Sequence, residues 1–193
     1  LRGVTMTPGD PADLVAIDAP STRGAIADAP MARRVYRRGR LVGFEGLARW
    51  RRADGEQVSP TEFISIAEDA DLVHAIDRLV LGRACAALAE WQRTLGLRRD
   101  AAMSVNLSAR QLGRADLAQL VRATLASTGL APASLVLEIT ESVIMTDLAR
   151  SLRTLQQLRD IGVRIAIDDF GRGYSSLSYL RQLPVDCLKI DQS

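Results

Sequence analysis

The sequence predicts an α/β fold, an incomplete (β/α)8 barrel of the TIM type, preceded by a short β-rich or irregular N-terminal segment. Three observations carry this. Four short, nearly all-apolar strands alternate with helical segments in the second half of the chain, which predicts a parallel sheet buried on both faces. The polar residues that end those strands recur 32, 30 and 23 residues apart, the length of a βα unit. No Gly-rich phosphate loop follows the first of these strands, which disfavours a dinucleotide fold. A barrel remains, with its functional groups at C-terminal strand ends.

The elements follow in order. Residues 1–30 are rich in Pro, Ala, Asp and Gly and hold one short strand, Leu14 to Ile17. Arginines cluster at 33, 34, 37, 38 and 40, then at 49, 51 and 52, and read as a solvated basic face. LVGFEGLARW, from residue 41, is rich in β-formers and reads as a strand. Ser59-Pro60 caps a short helix over Thr61–Ala70. A long amphipathic helix comes next, with Leu72, Ile76, Leu79, Val80, Leu88 and Trp91 near helical spacing and Gly96 as its terminator. The four strands are Met103–Val105, Leu135–Leu137, Val163–Ile167 and Cys187–Ile190. They end at Asn106, Glu138, the pair Asp168 and Asp169, and Asp191. Helices are expected over 115–127 and 147–160, with a shorter one at 176–182.

Bulk properties set outer limits. The 193 residues, 47% hydrophobic, suit one domain or a domain plus a fragment. No apolar run reaches the roughly 18 residues of a membrane span, and no signal peptide opens the chain. Cys85 and Cys187 read as buried, reduced thiols, which fits a cytoplasmic protein. The net charge of +2 argues neither for nor against nucleic acid. Of 25 basic side chains only Lys189 is a lysine. Either a coding bias spared it by accident, or the position wants a compact point charge that a planar guanidinium cannot supply. The lone His74 reads as a surface or core residue.

The strand ends carry the chemistry. Glu45, Asn106, Glu138, Asp168, Asp169 and Asp191 would converge on one rim of a barrel. Five carboxylates in a confined mouth repel one another unless a cation compensates. The donors are all hard oxygens with no His or Cys nearby, so Mg²⁺, Mn²⁺ or Ca²⁺ is favoured over Zn²⁺. Any one of these acids could be an ordinary loop residue; the set, each directly after a bulky apolar strand, points to a site. Asp168 and Asp169 would face opposite ways on a regular strand. Where the chain leaves the strand both can reach the rim, serving two metals, or one metal and a nucleophilic water. The loop FGRGYSS behind them, with Gly171 and Gly173, is either an ordinary turn or a mobile loop shaping the substrate site.

Six stretches, GFEGLARW, SPTEFISIAEDADLV, SVNLSARQL, LEITES, IAIDDFGRGYSSLSYLRQLPVD and LKIDQS, together resemble the EAL domain of cyclic di-GMP signalling proteins. The resemblance covers about residues 40–193. It implies a barrel of the EAL kind and metal-dependent hydrolysis of cyclic di-GMP to linear pGpG. It implies two Mg²⁺ or Mn²⁺ ions and association into a homodimer, with no DNA partner. By position, Glu45, Asn106, Glu138 and Asp168 resemble ligands of the first metal. Asp169 resembles the second-metal and water-activating residue, and Asp191 a further second-metal ligand. Lys189 matches the lysine that contacts water and phosphate, and Glu141 the glutamate that anchors the Gly-rich loop. Leu47 and Arg49 resemble substrate-contacting residues.

Three departures stand out. The signature reads EGL at 45–47, with Gly46 where Ala is usual; Glu45 is still expected to point inward. Arg172 replaces the usual Thr and would either aid phosphate binding or disorder its loop. From residue 41 the chain supplies 153 residues, against about 250 for a typical barrel of this class. The family's remaining strands, with the glutamate that acts as general base, would follow Ser193. These departures keep a second reading open, an EAL module that binds cyclic di-GMP or a protein without hydrolysis. The expected division is an N-terminal segment over 1–40 and a partial EAL domain over 41–193. Residues 4–42 also resemble the C-terminal tail of cytosine-deaminase-type amidohydrolases without that family's metal ligands, so the segment is either a natural linker or part of a composite frame.

Overall fold

A computed structural model describes residues 14–15, 31–37, 40–51, 57–171 and 182–190. In chain order the strands are β1 (Leu14–Val15), β2 (Met31–Arg37), β3 (Arg40–Leu47), β4 (Trp50–Arg51), β5 (Gln57–Val58), β6 (Ala102–Asn106), β7 (Leu135–Thr140), β8 (Arg164–Phe170) and β9 (Cys187–Ile190). The helices are α1 (Pro60–Asp69), α2 (Val73–Thr94), α3 (Ala109–Leu112), α4 (Leu117–Thr128), α5 (Glu141–Thr146) and α6 (Leu148–Ile161). One seven-stranded sheet runs β1-β2-β3-β6-β7-β8-β9, and β4 and β5 form a small hairpin of their own. From β3 to β9 every pairing is parallel, while β1 and β2 join antiparallel at one edge. Five parallel staves wrapped by helices make the incomplete α/β barrel that the alternation of elements predicts.

Side-chain parity divides the sheet into two unlike faces. On one face Phe44, Met103, Val105, Leu135, Leu137, Ile139, Ile165 and Ile167 are buried. They pack with Leu81, Ala84, Cys85 and Leu88 of α2, Val121 and Leu125 of α4, and Leu155 and Leu158 of α6. Burying each such side chain stabilises by roughly 1.5–3 kcal/mol. The other face is not the second apolar layer that parallel strands usually carry. It presents Glu45, Ser104, Asn106, Glu138, Thr140 and Asp168, because these alternate with the core residues along their strands. Glu45, Glu138 and Ala166 on that second face are buried as well, so the sheet is covered on both sides, but the second side is built largely from polar residues.

Several elements differ from the sequence reading. The arginine-rich stretch at 31–37 is not merely a solvated face but strand β2, with Ala32 opposite Gly46 and Val35 opposite Gly43. Arginines mask the period-2 apolar signal there, and strands near a sheet edge tolerate charge. β7 continues two residues beyond Glu138, and β8 runs through the acid pair to Phe170, so these rim acids sit within the ladder. The short helices α3 and α5 follow β6 and β7 directly. Cys85 is buried as expected, and burial pushes its thiol up to about 12. Cys187 is exposed instead, because it lies on β9, the last strand of the sheet. The helix expected at 176–182 lies outside the described residues apart from Gln182. Among the described residues no helix is long and apolar enough to cross a membrane.

Two glycines let β3 approach its neighbours. A Cβ on Gly43 would meet the carbonyl oxygen of Ala102 at 2.5 Å, and backbone cannot give way. A Cβ on Gly46 would meet the Ala84 Cβ at 3.1 Å, a contact relieved by a slight shift of α2. Gly43→Ala is therefore expected to destabilise the chain by about 3 kcal/mol. Gly46→Ala should stay within about 1 kcal/mol of the parent, because the lost backbone entropy of glycine offsets the crowding. Paired urea denaturation curves check both values.

Candidate active site at the strand ends

The parallel ladder itself assembles the site. Glu45 on β3 is level with Ser104 on β6. Two residues on, and so on the same face, Asn106 is level with Glu138 on β7. Two residues further, Thr140 is level with Asp168 on β8. Ala166, level with Glu138, is level with Cys187 on β9, which puts Lys189 on that face too. Residues far apart in sequence thus share one polar surface near the C-terminal ends of the staves.

The distances follow from this. Asn106 Nδ2 lies 3.5 Å from Glu45 Oε1. Lys189 Nζ lies 2.5 Å from Glu138 Oε2 and 3.8 Å from Asp168 Oδ2. Glu45 is 7% exposed and Glu138 1%, and Glu45 Oε2 is buried with no hydrogen-bond partner among the described residues. Burial pushes the Glu138 carboxyl above its usual range, and the Lys189 ammonium opposes that shift. Burial works against the charge of Lys189 in turn, but Glu138, Asp168 and Glu45 outweigh it and hold the amine above its usual value. Lys189 is the local counter-charge to three acids.

A kink separates Asp168 from Asp169. The β8–β9 register shifts between Ile167 and Phe170. Asp169 adopts φ +52°, a left-handed conformation that Asp tolerates better than most residues. Its N–H turns back onto Asp168 Oδ1 at 3.0 Å, and its own side chain is exposed. The strain is local and lies next to the site. Glu141, buried at the start of α5, accepts the Gly171 N–H on Oε2 at 3.4 Å, so it grips the first residue after β8. Arg49 and Leu47 sit half-buried just past the end of β3 or at it. The Arg49 guanidinium donates to the Ala48 carbonyl at 2.8 Å. Burial lowers the Arg49 pKa and the Glu45 charge counters that shift. Asp191, Arg172 and Gly173 lie outside the described residues.

The EAL domain matches residues 32–193. The chain belongs to the EAL domain family. It is 42% identical over 157 residues to the cyclic di-GMP phosphodiesterase NbdA of Pseudomonas aeruginosa, covering 80% of this chain and 20% of that protein. It is 43% identical to the bifunctional diguanylate cyclase/cyclic di-GMP phosphodiesterase MucR of the same organism, over 80% of this chain and 22% of MucR. The chain thus spans about a fifth of the length of these relatives. Among solved structures, the MucR phosphodiesterase in complex with c-di-GMP superposes with a TM-score of 0.75 at 43% identity, covering 79% of this chain and 61% of that one. The EAL domain of Mycobacterium smegmatis DcpA gives 0.61 at 38% identity, over 78% and 58%.

Within this EAL domain, Glu45, Asn106, Glu138, Asp168 and Lys189 come together, with Glu141 behind them. Among the described residues no three Asp, Glu, His or Cys side chains are already grouped to hold a metal by themselves; Lys189 occupies the space between the acids of β7 and β8. Ser104 is the site-side residue that the sequence reading passed over. Its hydroxyl eases the charge on Glu138. Alternation back from Asn106 was the signal that could have found it.

Replacing Lys189 leaves Glu138 buried without its cation. In the metal-free chain, Lys189→Met should cost about 3 kcal/mol near neutral pH. The pH dependence has a definite sign. Folded Glu138 keeps its proton to higher pH than the unfolded chain does. Stability therefore falls as pH rises above the ordinary carboxyl value of 4.5, until the raised folded value is passed. Without Lys189 that fall is larger. Melting temperatures across pH in the presence of a chelator check it.

Proposed function

We propose that this EAL domain is a cyclic di-GMP-specific phosphodiesterase, cleaving its ligand to linear pGpG with the help of two Mg²⁺ or Mn²⁺ ions. The observation that carries this reading is the single polar face on which Glu45, Asn106, Glu138 and Asp168 stand at successive two-residue steps of the ladder beside Lys189. The names of NbdA and MucR, and the MucR complex with c-di-GMP, support the substrate. We further assign residues 1–40 to an N-terminal segment and 41–193 to the EAL unit, β2 being the strand that stitches the first to the second. A cytoplasmic setting and a homodimer accompany the reading.

The residues fit a divalent metal. The donor set is hard oxygen throughout, and the orphaned Glu45 Oε2 is the kind of buried charge that a cation satisfies. Glu45, Asn106, Glu138 and Asp168 would hold a first ion, Asp169 and Asp191 a second. A divalent ion held there would supply polarisation of phosphoryl oxygens and a lowered pKa for water. The protein does the rest. Asn106 orients Glu45 by its amide, Lys189 places a compact positive charge where a phosphate oxygen gains charge, and Arg49 can fork onto a second phosphate oxygen. Leu47 lies beside it to face the ligand. Glu141 fixes the exit from β8 and with it the Asp168–Asp169 kink.

Chromatography of cyclic di-GMP incubated with Mn²⁺ and the full-length protein that carries this domain, including the strands expected after Ser193, tests the proposal, since the 193 residues alone lack the expected general base. The expected outcome is linear pGpG, with Glu138→Ala lowering the rate about a hundredfold or more. Calorimetric binding of cyclic di-GMP without any pGpG would instead favour the binding-module reading, for which the departure at Gly46 speaks. Neither binding nor product would overturn both.

A further inference from the structure

We propose that Asp77 and Ser108 form a positioning pair that sets the Asn106 amide against Glu45. The proposal deepens the phosphodiesterase reading and rests on it for its effect on the site. The amide needs such help. Asn106 is an exposed side chain whose contact to Glu45 is long, at 3.5 Å. Among the described residues no other side-chain hydrogen bond holds it, so its direction is set by the backbone on either side. Upstream the backbone is held by the β6–β7 ladder, where Asn106 is level with Glu138. Downstream, the Leu107 N–H donates to the Glu138 carbonyl at 2.8 Å, and the Leu107 side chain is buried.

Ser108 then fixes the exit. It is the N-cap of α3, and its Oγ accepts the Gln111 N–H at 3.2 Å. The same hydroxyl donates its single proton to Asp77 Oδ2 at 2.5 Å. A serine hydroxyl can do both at once, because it has one donor and free lone pairs. The acceptor is an ionisable carboxylate, which makes the bond a strong, charge-assisted one. Asp77 comes from the second turn of α2, 31 residues away in sequence. On the core face of that helix, Ile76, Leu81, Ala84, Cys85 and Leu88 are buried. The turn after Asn106 is therefore tied to a rigid element and not only to its own strand. Losing the tie frees the turn to swing, and the amide swings with it. Groups that orient metal ligands from behind typically change metal affinity by roughly 10- to 100-fold.

Asn106 is the only asparagine in the sequence, so selective ¹⁵N-asparagine labelling reports on that one side-chain amide. In the metal-free chain, Asp77→Ala should move the two Asn106 side-chain amide signals. The substitution lies far from Asn106 in sequence, and the Asp77 carboxylate touches the turn after Asn106 at Ser108. Ser108→Ala should move them similarly, the double variant should add little to either, and Ser108→Thr should restore the parent positions. For Mn²⁺, the dissociation constant should rise about tenfold or more in Asp77→Ala and in Ser108→Ala, and stay close to the parent in Ser108→Thr. A merely structural role for the pair would lower the melting temperature while leaving the Asn106 signals in place, and that result overturns the proposal. Should the parent chain take up no Mn²⁺, the metal reading fails by itself, and the amide signals still decide the positioning role.

Discussion

Parity in a parallel ladder is the constraint on which everything else depends. Each stave offers alternate residues to alternate faces, so a one-residue slip between any two would send an acid into the helix layer and an isoleucine into the site. The apolar face enforces the register. Met103, Leu137, Ile139 and Ile165 are each almost fully buried against α2, α4 and α6, and none could be turned outward without exposing a large side chain. The site is thus held in place by groups that never touch it. Hydrophobic burial on one side of the sheet fixes charge placement on the other.

That charge placement is unfavourable taken alone. Glu138 is a buried carboxylate of the polar face, and Glu45 has an oxygen with no partner among the described residues. A buried acid with an unmet valence is an unstable arrangement unless something positive is near. In the chain by itself Lys189 fills the role. The lone lysine among 24 arginines therefore sits where a compact ammonium can reach two acids at once, which a broad guanidinium fork would do less well.

Much of this was legible in the sequence, and the failures have physical causes. The helices at 73–94, 117–128 and 148–161 and the staves at 102–106, 135–140, 164–170 and 187–190 follow directly from apolar spacing, and the rim acids from what ends each stave. β2 escaped notice because arginines occupy positions where a strand signal needs apolar residues. Ser104 escaped because a small hydroxyl in a strand carries no chemical signature until its neighbours are known. The kink at Asp169 depends on a register shift with β9, which no local pattern encodes. Asp77 and Ser108 are separated by the rest of α2 and by β6, so only the fold makes them neighbours.

The exposure of Cys187 has a practical side. Its counterpart, Cys85, lies wholly inside the protein with its thiol held in the protonated form, inert towards thiol reagents. One sulfur is therefore addressable, two positions from Lys189 and on the same side of β9. A fluorophore or spin label attached there would stand on the polar face, two residues to the N-terminal side of Lys189, without any engineering of the chain.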